Sequence, residues 1–177
     1  RSSWSCRCGS LVRKRRPDGT LNRYKARMVL RGDLQELPPG VEGNTYAPVV
    51  DWGTVRLLFT LLVKHNLKSV QVDFRNAFTQ SDLDEPIYMH LPPGYKKEGM
   101  CYQVNKSLYG DTRAALLWYQ HLRTGLLACG FQTSKTDPCL YFKDGVIFIH
   151  FVDDAIIVSH DDAVIQQVIK DLQEKGY

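Results

Sequence analysis

Three aspartates in this 177-residue chain stand where carboxylates can do chemistry. Asp153 and Asp154 are adjacent inside an otherwise apolar run, Val146-Ile-Phe-Ile-His-Phe-Val-Asp-Asp-Ala-Ile-Ile-Val158, and Asp73 closes a shorter one, Val70-Gln-Val-Asp-Phe74. Flanks so rich in Val, Ile and Phe read as short buried strands, with a hairpin turn at the Asp pair. Two neighbouring carboxylates at such a turn are partly desolvated and repel each other, and a divalent cation would remove both penalties. A solvated Asp-Asp turn needs no metal. Two-residue hairpin turns, however, favour Gly or Asn, and neither is present here. Taken alone, the pair leaves both readings open. If the strands ending at Asp73 and Asp153 are neighbours, carboxylates 80 residues apart meet at one spot. With no Cys or His ligand beside them, such a set suits Mg²⁺ rather than zinc. Carboxylates that hold two ions about 4 Å apart serve phosphoryl transfer, where one ion activates the attacking oxygen and the other neutralises the phosphates. His150 falls on the face opposite Phe151 and reads as packing or solvated, not as a ligand.

The elements that must position these groups follow from pattern. Residues 1–31 carry ten Lys or Arg and a single acid, Asp18, whereas the rest of the chain is mildly acidic. That asymmetry points to a polyanion, although a solvated basic terminus explains Arg13-Lys-Arg-Arg16 equally well. Pro17-Asp18-Gly19 should turn the chain between strands over roughly Ser10–Lys14 and Asn22–Leu30. In the second, Lys25 and Arg27 alternate with Tyr24, Ala26 and Met28, so both cations leave one face, either to clamp phosphates or as the wet side of an edge strand. A helix capped at Asp51 or Thr54 should run to Lys64 with Val55, Leu58, Phe59 and Leu62 inward. Strands are expected near Ile87–Leu91 and Cys101–Val104, and a helix over about Thr112–Cys129 stopped by Gly130. Leu140–Phe142 should pair with Val146–His150 across Lys143-Asp-Gly145. A last helix should start at a capping box from Ser159 and bury Val164, Ile165, Val168, Ile169 and Leu172. The expectation is an α+β domain, one antiparallel sheet backed by helices.

Five cysteines, odd in number and without paired CxxC spacing, argue against a disulfide framework or zinc site and fit a reducing, intracellular setting. No stretch reaches the apolar length of a membrane span, and the first residues lack a signal-peptide pattern. A start without Met, inside the basic segment, is expected of an excised fragment.

The motifs Tyr24-Lys-Ala-Arg-Met-Val-Leu-Arg-Gly32, Tyr46-Ala-Pro-Val49, Val72-Asp-Phe-Arg-Asn-Ala-Phe78, Ile87-Tyr-Met89, Ser107-Leu-Tyr-Gly110, Asp137-Pro-Cys-Leu-Tyr141 and Phe151-Val-Asp-Asp154 occur in order from Val12 onward. As an ordered set they resemble the reverse transcriptase of copia-type LTR retrotransposons. The resemblance implies a right-hand polymerase, here a fingers–palm fragment. Residues 1–69 and 86–110 would be mainly fingers, residues 70–85 and 111–177 mainly palm, with thumb and RNase H domain absent. It implies RNA-directed DNA polymerase activity, in which a primer 3′-OH attacks the α-phosphate of a dNTP with the aid of two Mg²⁺ ions, or Mn²⁺ in their place. Asp73, Asp153 and Asp154 would be the catalytic and metal-binding carboxylates, with Asp154 the more peripheral. Lys25 and Arg27 match the basic fingers strand that meets the triphosphate, and Phe74 would leave its backbone near the nucleotide. Phe78 takes the steric-gate position against a ribose 2′-OH, with core packing as its other reading. The implied partners are an RNA or DNA template–primer, dNTP and the remainder of a Pol polyprotein (thumb, RNase H, integrase), with no membrane. The implied location is a cytoplasmic virus-like particle.

The pattern departs from the family in one place. After Ser-Leu-Tyr-Gly the family usually continues Leu-Lys-Gln-Ala-Pro-Arg, whereas this chain has Asp111-Thr-Arg-Ala-Ala-Leu116. Arg113 stands where the Gln would pack against the incoming nucleotide and template, and takes that nucleotide-binding position. Two further readings stay open: a truncated or decayed element that at most binds nucleic acid, and another palm-type nucleotidyltransferase or cyclase. The motifs around Lys25 and Tyr46 count against the last.

Overall fold

The run Val146–Val158 is apolar on either side of its Asp153-Asp154 turn, His150 excepted, because both faces of the strands it forms are covered. The computed structural model describes residues 6–35, 45–91, 94–95 and 97–177, without the side chains of 6–11 and 34. In order, the elements are β1 (Cys6–Arg15), β2 (Leu21–Leu30), a 3-10 turn (Gly32–Leu34), α1 (Trp52–His65), β3 (Lys68–Asp73), α2 (Ala77–Gln80), β4 (Asp82–Met89) and β5 (Tyr102–Lys106). They are followed by α3 (Ala114–Ala128), β6 (Gln132–Thr133), β7 (Leu140–Lys143), β8 (Val146–Phe151), β9 (Asp154–Ser159) and α4 (Asp162–Glu174).

The central sheet is antiparallel in the order β3-β9-β8-β7-β6. On one face Val146, Phe148, Ala155 and Ile157 pack with Trp118, Leu122 and Leu126 of α3 and Ile165, Val168 and Leu172 of α4. On the other face Ile147, Ile149, Ile156 and Val158 meet Val55, Leu58 and Leu62 of α1, with Cys139. Slipping β9 by one residue would exchange these two sets, and at roughly 2 kcal/mol per large buried side chain the register is firmly held. The register sets Asp73 opposite Asp154.

Most expected elements appear, with differences at their edges. Among the described residues the expected single sheet is three, because β1 pairs with β2 alone and β4 with β5 alone. β4 is irregular between Asp82 and Ile87, where Pro86 has no N–H to donate to a ladder. Phe59 is 51% exposed and Val164 37% exposed, since the stripes Val55-Leu58-Leu62 and Ile165-Val168-Leu172 already fill the two interfaces. Ser159 does not cap α4, because its backbone belongs to β9, paired with Lys68. Asp161 caps the helix instead, its carboxylate accepting the Ala163 N–H. Asp51 caps α1 in the same way through Gly53, and Gly130, at φ +88°, ends α3.

The β1–β2 hairpin turns at Pro17-Asp18-Gly19, with Gly19 at φ +84°. Its base is fixed to the segment before α3. Leu30 N–H donates to Tyr109 O at 2.8 Å, and Leu30 is buried with Ile87 and Met89. Gly110 (φ +87°) and Gly32 make this approach possible: a Cβ on Gly110 would collide with the Leu30 carbonyl, and one on Gly32 with the Gly110 carbonyl. Among the described residues no helix is long and apolar enough to cross a membrane.

His150 is buried between the rings of Tyr119 and Tyr141, both 5.9 Å away. Among the described residues neither ring nitrogen has a hydrogen bond of good geometry, and burial pushes its pKa down to about 4, only partly offset by the Asp137 carboxylate and the Val152 backbone.

Two expectations follow. Gly110→Ala should lower stability by on the order of 2 kcal/mol, through both positive φ and the Leu30 collision; an unchanged thermal midpoint would remove the close approach. For His150, the unfolded chain takes up its proton near pH 6.5 and the folded chain only near pH 4. Its stabilisation is therefore complete above about pH 6.5 and declines between about 6.5 and 4, at up to about 1.4 kcal/mol per pH unit. Denaturant midpoints of His150→Gln should fall less steeply than wild type across that window, and parallel curves would rule this out.

Candidate active site at the β8–β9 hairpin

Only Val152 and Asp153 connect β8 to β9, with Phe151 and Asp154 as the closing pair. So tight a turn calls for left-handed backbone, and Val152 supplies it at φ +55°. A β-branched residue in that region carries strain of order 1–2 kcal/mol, which persists only where surrounding contacts hold it. The contact here is a hydrogen bond from the Trp118 indole N–H to Val152 O at 2.7 Å. The Trp118 ring is 1% exposed.

β3 lies alongside, so Asp73 reaches the same end of the sheet. Phe74 N–H donates to Asp153 O at 2.9 Å and ties the two backbones together. Phe74 turns its ring into the core, edge-on to Trp118 with centroids 5.2 Å apart. Asp73, exposed, and Asp153, half-buried, line one cleft of about 680 Å³. Asp154 lines a different, mainly apolar cavity of about 270 Å³ with Val50, Trp52, Val55 and His150, and accepts a hydrogen bond from Gln71 Nε2 at 3.3 Å.

The opposite wall of the cleft is β2, which contributes Arg23, Tyr24, Lys25, Ala26 and Arg27. Its cations crowd one another: Arg27 above all, then partial burial and the charges of Lys14 and Arg23, hold Lys25 below its usual pKa, while Asp73 pulls the other way. Arg27 stacks over the Tyr109 ring at 5.1 Å, and Phe78 meets that ring edge-on at 4.9 Å. The row Arg27–Tyr109–Phe78 thus runs from β2 to α2. Arg113 stands apart from the cleft lining. It is 8% exposed at the start of α3, with Nη1 3.4 Å from an Asp84 carboxylate oxygen.

Of the residues singled out in sequence, the cleft therefore gathers Asp73, Asp153, Lys25, Arg27 and the Phe74 backbone, with Phe78 behind Tyr109. Asp154 and Arg113 lie outside it. Sequence reasoning missed Tyr109, Arg75 and Asn76 as cleft residues, along with the Trp118 hydrogen bond. The signal for Tyr109 was present in Ser107-Leu-Tyr-Gly110, whose Tyr and Gly form one contact with β2.

As to a metal, no group of three His, Cys, Asp or Glu among the described residues is close enough to form a ready-made cage. What the cleft offers is two carboxylates without imidazole or thiol, facing cations suited to phosphate. That donor set fits Mg²⁺, which is commonly held by one or two carboxylates, water and the substrate's own phosphates.

Comparison with known proteins places the chain in a family. Residues 10–176 match the family model described as reverse transcriptase (RNA-dependent DNA polymerase). The chain is 33% identical over 172 residues to the retrovirus-related Pol polyprotein from transposon RE1 of Arabidopsis thaliana, covering 93% of this chain and 12% of that protein. It is 34% identical over 170 residues to the corresponding polyprotein from transposon TNT 1-94 of Nicotiana tabacum, covering 91% of this chain and 13% of that protein. To the Ty1-ER2 Gag-Pol polyprotein of Saccharomyces cerevisiae it is 29% identical over 165 residues, covering 91% and 9%. The chain thus spans about an eighth of the length of its plant relatives and belongs to the reverse transcriptase (RNA-dependent DNA polymerase) family, in the branch carried by the Pol polyproteins of copia-type retrotransposons.

Proposed function

We propose that this chain is the fingers–palm part of an RNA-directed DNA polymerase, with the cleft between β2 and the β8–β9 hairpin as its active site. One observation carries the reading: Asp73 and Asp153 share a cleft with Lys25 and Arg27, so metal-binding oxygens and phosphate-binding cations face each other. Asp73 and Asp153 would hold Mg²⁺, or Mn²⁺ in its place, with Asp154 supporting from the neighbouring cavity. Bound there, two ions would supply Lewis acidity for phosphoryl transfer from a dNTP to a primer 3′-OH.

The chain's own residues do the rest. Lys25 and Arg27 attract and orient the triphosphate and offset the charge that builds on it. Tyr109 holds Arg27 in place from beneath, and Phe78 braces Tyr109. Phe78 also limits room beside the sugar, the steric-gate role. The Arg113 guanidinium is engaged with Asp84, so nucleotide contacts rest on β2. Template and primer, RNA or DNA, would be gripped through backbone charge and duplex shape, since a polymerase must copy any sequence. The remainder of a Pol polyprotein is the expected partner for that grip. The buried Arg113 and the altered Asp111–Leu116 stretch favour one competing reading, a relic that binds nucleic acid without turnover.

Primer extension decides between them. In a polypeptide that contains this chain and extends primers, Asp73→Asn or Asp153→Asn should lower the rate by at least about a thousandfold. Activity within tenfold of wild type would sink the assignment, and no activity in the unaltered polypeptide would favour the relic. Phe78→Ala should raise ribonucleotide incorporation relative to deoxyribonucleotide by about tenfold or more. Unaltered sugar selectivity would return Phe78 to a packing role.

A further inference from the structure

The β8–β9 turn has two backbone oxygens facing inward, and both are tied to one aromatic cluster. Val152 O accepts the Trp118 indole N–H, and Asp153 O accepts the N–H of Phe74, whose ring packs edge-on to Trp118. Trp118 is 1% exposed, sits on α3 and does not line the cleft. Trp118 fills the core beside Phe74 and Tyr177, so it acts through packing as well as through its N–H. What only tryptophan adds among the large apolar side chains is an N–H that donates and never accepts. That donor meets the carbonyl of the one residue in the turn whose backbone is strained, Val152 at φ +55°. Released from it, a β-branched residue would leave the left-handed region, and the next residue, Asp153, would turn away from Asp73.

We infer that Trp118 is a positioning residue for the metal-binding carboxylates: its indole N–H pins the Val152 carbonyl in left-handed backbone and so sets Asp153 beside Asp73. The inference rests on the reading of Asp73 and Asp153 as the metal ligands, but the hydrogen bond and the turn can be measured without a metal.

The test uses this chain as Trp118→Phe, Val152→Gly and the double variant, with two readouts. Amide hydrogen exchange at Phe74 reports the turn directly, and binding of Mn²⁺ alone, followed by the paramagnetic signal of the free ion, reports the carboxylates. Trp118→Phe should speed Phe74 exchange about tenfold while α3 amides keep their protection, and should weaken Mn²⁺ binding by a similar factor. Glycine takes left-handed backbone without strain, so adding Val152→Gly should restore both readouts most of the way. A purely space-filling Trp118 would show no such rescue. Unchanged Phe74 exchange in Trp118→Phe, or a double variant no better than the single, overturns the inference. Faster Phe74 exchange together with rescue, in a chain whose wild type binds no Mn²⁺, keeps the positioning role and removes the metal reading instead. If Trp118→Phe does not fold, the wild-type indole protons decide. That of Trp118 should exchange with solvent far more slowly than that of Trp52, which is 73% exposed. Equal rates would mean the hydrogen bond is absent and the inference fails.

Discussion

Everything at this site depends on one stretch of antiparallel ladder, the six-residue pairing of β3 with β9 from Lys68–Ser159 to Asp73–Asp154. It brings together parts of the chain some eighty residues apart, and it does so at the exposed end of a sheet whose middle is dry. Val72 and Ala155 are the last apolar pair, and one step further the partners are carboxylates. Hydrophobic packing thus fixes the register, and the register places charges just past the edge of the core, where they keep contact with water. Charge repulsion at that edge is tolerable because the interior, not the charges, determines where the strands lie.

The other wall of the cleft is built on a different principle. β1 and β2 form a separate ribbon with exposed basic residues on both strands, and among its described residues Leu30, at the end of β2, is the one buried against the rest. Close backbone approach joins that contact, through Gly32, Gly110 and the Leu30–Tyr109 hydrogen bond. Tyr109 serves both functions: its carbonyl fixes the ribbon, and its ring carries Arg27. A rigid wall of carboxylates therefore faces a separately mounted wall of cations.

Much of this is readable from residues. The period-two alternation that sets Lys25 and Arg27 on one face, the apolar runs that end at Asp73 and Asp153, and the Asp-Gly turn at 144–145 all rest on local rules, and local rules survive folding. What escaped prediction is non-local. Arg113 is buried at the start of α3, with one guanidinium nitrogen 3.4 Å from Asp84 on another element. Asp161 rather than Ser159 caps α4 because β3 claims Ser159 for its ladder. The absence of Gly or Asn from the 152–153 turn was visible, but its meaning was not. A residue that violates turn preference must be held by something distant, and here the holder is a tryptophan 34 residues earlier.

The single-ended mounting of the basic ribbon has a mechanical corollary. A ten-residue strand is about 33 Å long, and β2 is fixed near Leu30, at its final residue. Lys25 sits about 17 Å along that arm. Tilting the ribbon by 10° about its base would move Lys25 by ~3 Å and the tip by nearly twice that, while the carboxylates across the gap stayed still. Were the ribbon to pivot at that base, the width of the cleft would follow an angle at Gly32 and Gly110 rather than any change at the carboxylates, with the two glycines as the fulcrum of a lever.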